Sequence, residues 1–117
     1  MNLETEERGS ATILRVQESR IDAHSAADLK VAIAGLVAAR RNILVDLSRV
    51  EFMDSSGLSA LISGLKAANA LGGSVKLSGL RPHVKSIFEL TRLHRVFEIF
   101  SEVDEAAQSF NEVKGAP

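Results

Sequence analysis

Residues 43–61 read ILVDLSRVEFMDSSGLSAL. Ile43 to Leu47 is short, nearly continuous in apolar residues and partly β-branched. A strand with one wet face alternates; a strand covered on both faces reads as an unbroken apolar run. From Leu58 the period changes. Leu58, Leu61, Ile62, Leu65, Ala68 and Leu71 follow at gaps of 3, 1, 3, 3 and 3, one stripe of an α-helix. Between them Ser48-Arg49-Val50-Glu51 leads to Phe52-Met53-Asp54, which returns the chain to the core edge. Phe52, Met53 and the helical stripe are expected in the core. Gly72-Gly73 ends the helix by supplying backbone freedom at its C-terminus.

Reading outward, Ala11 to Val16 is a strand behind a Gly9-Ser10 turn, and a shorter strand covers Leu3 to Glu7. Asp22-Ala23-His24-Ser25 is a helix start, with Ser25 as cap and Asp28 at the positive end of the dipole. Leu29, Ile33, Leu36 and Val37 form its stripe, and Arg40-Arg41-Asn42 closes it with cations. Downstream, Ser74 to Leu77 is a strand. Arg81-Pro82 opens a helix with proline in the first turn, and Val84, Ile87, Phe88 and Thr91 face inward. Val96 to Phe100 reads as an edge strand. Glu102 to Val113 is a last helix with Val103, Ala106, Ala107 and Phe110 inward. This alternation predicts an α/β fold, a mixed and mostly parallel sheet of four to five strands with helices packed on it. Crossovers between its parallel strands are expected to be right-handed.

The chain of 117 residues suits one domain, 1–117, with a core over about 10–112 and a frayed tail at Lys114 to Pro117. Fifteen acidic against fourteen basic residues leave a net charge of −1. That balance argues against nucleic acid as a partner, which usually calls for a basic excess. Cysteine is absent, which excludes disulfides, thiolate metal sites and cysteine nucleophiles. No apolar run reaches the length of a membrane span, so no membrane partner is expected. The stretch Met1 to Ser10 carries Glu4, Glu6 and Glu7, the wrong composition for a signal peptide, and a cytoplasmic location is expected.

Catalytic signatures are missing. The sequence has no phosphate-binding glycine loop, no dinucleotide-binding turn and no nucleophile elbow. His24, His83 and His94 are far apart and lack metal-ligand spacing, so each is read as a helix-end or surface residue and no metal or cofactor is expected. What stands out is Asp54-Ser55-Ser56-Gly57, between a strand and a helix. Ligands and reacting groups gather at the carboxyl ends of strands in such sheets. A helix N-terminus also tolerates a phosphate, through free N–H groups and the dipole. The plain alternative is that Asp54, Ser55 or Ser56 caps the helix. One oxygen suffices for a cap, and three are offered in succession.

Flanking residues carry a resemblance. Residues 43–61 are similar to the core of the STAS family of bacterial anti-sigma factor antagonists. So are Ile21 to Ala26, Ser74 to Leu80, Val84 to Leu93 and Arg95 to Phe100, and the resemblance spans roughly residues 10 to 110. It implies a regulatory binding protein and phosphoacceptor, not an enzyme. By that resemblance the serine directly after the aspartate, Ser55, is expected to be phosphorylated by a serine kinase of the histidine-kinase-like ATPase type, which is also the anti-sigma factor. The unphosphorylated form binds that partner and frees a sigma factor; phosphorylation blocks binding, and a serine phosphatase restores it. Ser56 is the neighbour that stays unmodified and is free to cap. The resemblance assigns Asp22, His24, Asp54, Ser55, Ser56 and Gly57 to partner binding, although Asp22 also suits a turn. A phosphate adds about −1.5 to −2 charges, which a docked surface must desolvate or repel, while the helix N-terminus accommodates it.

Three alternatives compete. One is a STAS subunit of a larger complex, in lipid transport or scaffolding, without phosphorylation. Another is a receiver-like domain phosphorylated on Asp46 or Asp54, which wants a carboxylate cluster for Mg²⁺ that the strand ATILRV does not supply. The third is a serine hydrolase using Ser55 or Ser56, for which no histidine is placed as base.

Overall fold

The apolar run at 43–47 lies at the middle of the sheet. In the computed structural model, which describes residues 1–111, the strands are β1 (Leu3–Arg8), β2 (Ala11–Val16), β4 (Asn42–Asp46), β6 (Ser74–Ser78) and β7 (Ile99–Phe100). They lie in the order β1-β2-β4-β6-β7. The pair β1–β2 is antiparallel across the Gly9-Ser10 turn, and the remaining pairs are parallel. Gly9 takes φ 59° there, which glycine adopts without penalty. The α/β class and the mostly parallel five-stranded sheet are as expected. Because β1 joins the sheet, the packed chain starts ahead of residue 10.

Both faces of β4 are covered, which is why its sequence does not alternate. Ile43 and Val45 pack, together with Leu47, against α1 (Ala26–Arg40), α2 (Ser55–Ala70) and α3 (Pro82–Leu90). Leu44 points the other way and joins Ile13 beneath α4 (Val103–Ser109), against Ala106 and Ala107. The α1 stripe of Leu29, Ile33 and Val37 is fully buried. Helix α2 lies close on it through Gly64, where a Cβ would collide with the Ile33 side chain.

Local departures from the sequence reading cluster at element ends. Leu71 is 49% exposed, since the helix stops at Ala70 and the chain turns through Gly72 at φ 80°. Thr91, expected inward, is the exposed C-terminal cap of α3, and its hydroxyl donates to the Ile87 carbonyl. Ile62 is half-buried. The edge strand shrinks to two residues, because Leu93–Arg95 winds into a 3₁₀ turn after Arg92 adopts φ 61°. Helix α4 ends at Ser109, and the expected remainder up to Val113, like the Lys114 to Pro117 tail, lies outside the described residues.

Two short strands were not foreseen. Arg20–Ile21 forms β3 and Phe52–Met53 forms β5, and these two pair in parallel as a small second sheet. Two residues carry too little pattern to be read as a strand.

Candidate functional site

The small sheet builds the site. The amides of Glu51 and Phe52 both donate to the Ser19 carbonyl, at 2.7 and 3.1 Å, and the Asp54 amide donates to the Ile21 carbonyl at 3.1 Å. In register, Arg20 faces Phe52 and Ile21 faces Met53. Ile21 and Met53 turn inward and are fully buried. Arg20 and Phe52 therefore turn outward. The bond from the Asp54 amide to the Ile21 carbonyl carries this pairing up to the residues that follow each strand, so the Asp22 loop and the start of the next helix leave the small sheet from the same end.

Asp54 is the N-cap of α2, with extended backbone. Its Oδ1 accepts from the amides of Ser56 at 2.9 Å and Gly57 at 3.3 Å. Its carbonyl accepts from Leu58 at 3.2 Å. The carboxylate thus does the capping, and neither serine does. Ser55, the first residue of the helix, is exposed, and its hydroxyl has no hydrogen bond among the described residues. Ser56 is half-buried and, with Ala26, Ala27, Lys30, Ser59 and Ala60, lines a cleft of about 290 Å³ between α1 and α2.

Gly57, expected among the docking residues, is buried. A Cβ on it would sit 2.6 Å from Met53 Cγ and 2.9 Å from Ile21 Cγ2. This glycine lets the first turn of α2 settle directly on the small sheet. Its place is under the site, not on its surface.

Asp22 is half-buried. Its Oδ1 accepts from the His24 amide at 3.0 Å and its Oδ2 from Arg20 Nε at 3.3 Å. The His24 amide, aided by Arg20, holds the Asp22 carboxyl below its ordinary value against the opposing effect of burial. Ser25 stands at the cap position of α1 but makes no cap bond; its Oγ instead accepts from the Asp22 amide at 3.1 Å. Both bonds tighten the Asp22 loop. The His24 side chain is exposed on that loop.

Phe52, expected in the core, is only half-buried. The Arg20 guanidinium lies 4.4 Å from its ring centroid, and the His83 ring stacks on it at 5.5 Å and 14°. Strand alternation was the signal that separated Phe52 from Met53, and it is faint in so short a strand. Asp46 lies on the α4 side of the sheet, 8% exposed, 3.7 Å from Arg15 Nε and accepting from the Ser48 amide at 3.0 Å. His94 stands in the 3₁₀ turn, with Nδ1 3.4 Å from the Phe88 carbonyl. A larger groove of about 600 Å³ between α3 and β7 shares no residue with the Asp22–Ser55 surface.

The profile of the STAS domain matches residues 2–106. The anti-sigma-B factor antagonist of Bacillus subtilis is 26% identical over 109 residues, covering 92% of this chain and all of that protein. An anti-sigma factor antagonist from Mycobacterium paratuberculosis superimposes with a TM-score of 0.85 at 25% identity, covering 95% of this chain and 94% of its own. The anti-sigma factor antagonist SpoIIAA in its unphosphorylated form gives a TM-score of 0.78 at 20% identity, covering 97% of this chain and all of its own.

Proposed function

The chain belongs to the STAS-domain family, and on that premise we propose that it is an anti-sigma factor antagonist that works by partner switching through Ser55. The unphosphorylated protein binds an anti-sigma factor with serine kinase activity, and so releases a sigma factor. Phosphorylation of Ser55 ends that binding, and a serine phosphatase restores it. The protein is a phosphoacceptor and a binding surface, not a catalyst.

The observation that carries this reading is the exposed, unengaged hydroxyl of Ser55 beside a carboxylate that has taken over the capping. A kinase can reach that hydroxyl without breaking a hydrogen bond of the fold. The amides of Ser56 and Gly57 are already committed to Asp54. A phosphoryl group on Ser55 therefore stays at the surface, where it adds about −1.5 to −2 charges to that of Asp54. This differs from the expected nesting at the helix N-terminus, and it sharpens the switch. A partner closing on this surface meets concentrated negative charge, and burying unpaired charge is costly.

The test is incubation with the candidate anti-sigma kinase and ATP, followed by mass spectrometry of the intact protein and its peptides. One phosphate on Ser55 is expected, and Ser55→Ala abolishes it. Labelling of Ser55→Ala with loss in Ser56→Ala shifts the assignment by one residue. Binding with no labelling at all favours a STAS subunit that docks without phosphorylation.

A further inference from the structure

The outward face of the small sheet does more than frame Ser55. Phe52 is an aromatic side chain held at the surface two residues before Asp54, with the Arg20 guanidinium and the His83 imidazole against its ring. Arg20 is 61% exposed, and only its Nε is engaged, by Asp22 at 3.3 Å. Its terminal amino groups have no hydrogen-bond partner among the described residues. His83 is exposed on the first turn of α3. Beside it Arg81 donates from Nε to the Ser48 carbonyl at 2.9 Å and lies 3.9 Å from Glu51.

We infer that Arg20, Phe52 and His83 form a second docking patch of the same interface, built to receive an acidic side chain of the anti-sigma partner. This inference rests on the antagonist reading above. Three observations carry it. The first is charge. The carboxylates next to the patch, Asp22 and Glu51, each face an arginine already, whereas the outer edge of the Arg20 guanidinium faces solvent. A planar fork with free N–H groups matches a carboxylate in two-point geometry, which a lysine does not.

The second is rigidity. Arg20 is set by strand pairing, by the Asp22 ion pair and by the Phe52 ring, so little side-chain freedom is lost on binding. The third is continuity. The strand pairing that sets Arg20 beside Phe52 runs on through the bond from the Asp54 amide to the Ile21 carbonyl, so the patch lies next to the helix start that carries Ser55. Arginine and aromatic side chains are the types that dominate interface energetics. The surface is thus divided. Its Ser55 end is acidic and turns repulsive on phosphorylation, while its Phe52 end offers the solvent-facing N–H edge of Arg20 to a carboxylate.

The experiment is calorimetry of the full chain with the purified anti-sigma kinase that labels Ser55, at low and high ionic strength. Wild type, Arg20→Glu, Arg20→Lys, His83→Ala and Ser55→Asp are compared, each checked by circular dichroism and thermal denaturation. Arg20→Glu is expected to weaken binding at least tenfold, about 1.4 kcal/mol, with a gap from wild type that narrows in high salt. Arg20→Lys keeps the charge but loses the planar fork, so a smaller loss is expected. Arg20→Glu and His83→Ala variants that bind within twofold of wild type, while Ser55→Asp weakens binding, overturn the patch and leave the switch standing. Weak binding that tracks a lowered melting temperature shows that the stack only covers Phe52, and also overturns it. Failure of the wild type to bind overturns both readings.

Discussion

Asp54 and Ser55 are chain neighbours with separate tasks, and their chemistry explains the division. A carboxylate is acceptor-only and short enough to reach back to the amides of the first turn, as Oδ1 does to Ser56 and Gly57. That leaves the Ser55 hydroxyl without a hydrogen bond among the described residues. Replacing Asp54 by Ala orphans two amides and is expected to cost about 0.5–2 kcal/mol, the usual range for losing a cap. Asp54→Asn keeps an acceptor oxygen and is expected to cost less than Asp54→Ala in urea denaturation. The pair of variants also separates cap from charge. If Asp54 acts on the partner through its charge, Asp54→Asn weakens binding while stability stays close to wild type.

At the scale of elements, α2 carries Ser55, the proposed phosphoacceptor, on its first turn and is held in place by its stripe. Leu61 is fully buried and Ile62 half-buried. Leu61→Ala is expected to cost about 2–5 kcal/mol, the range for a large-to-small core change, and Ile62→Ala clearly less, as read from denaturation midpoints. The Asp22 loop makes a different prediction. Its carboxyl is held below the ordinary value, first by the His24 amide and then by Arg20. A depressed value means that the ionised form is favoured by folding. The stability it contributes is therefore complete above the unfolded-state value and disappears as pH falls through the lower folded-state value. Asp22→Asn should therefore lower stability at neutral pH, leave it near wild type in strong acid, and so flatten the acid limb below about pH 4. An acid limb identical to wild type would show that the loop bonds do not couple to folding.

For the whole molecule, the question is whether modification acts on the fold or on the interface. Ser55 is exposed and stands over a frame of two sheets, with Ile21, Met53 and Gly57 packed tightly beneath it. A negative charge in the first turn of a helix is favoured by the dipole and changes stability by only about 0.3–1 kcal/mol. Ser55→Asp and the phosphorylated protein are therefore expected to keep the wild-type circular dichroism spectrum and nearly the same melting temperature. Affinity for the anti-sigma partner should fall, and more for phosphate than for aspartate, because the phosphate carries about twice the charge. Unfolding on phosphorylation would move the switch from the interface into the fold.

The sequence by itself determined the α/β class, the central strand at 43–47, the helices packed on the sheet and the Asp54-Ser55 junction. Each of these is written in a period or motif long enough to be distinctive. The unbroken run in Ile43 to Leu47 reports a strand covered twice, and the spacing of Leu58, Leu61 and Leu65 reports a helix face. The tertiary structure decided three things that no local pattern encodes. It paired Arg20–Ile21 with Phe52–Met53 and so tied the Asp54 amide to the Ile21 carbonyl, next to the Asp22 loop. It turned Phe52 to the surface while burying Met53, although both are large and apolar. It also moved Gly57 from the docking surface into the packing, because only the approach of Ile21 and Met53 makes a missing Cβ necessary there. Strands of two residues are held by their partners and not by their own periodicity, so their pairing is fixed only when the distant segments meet.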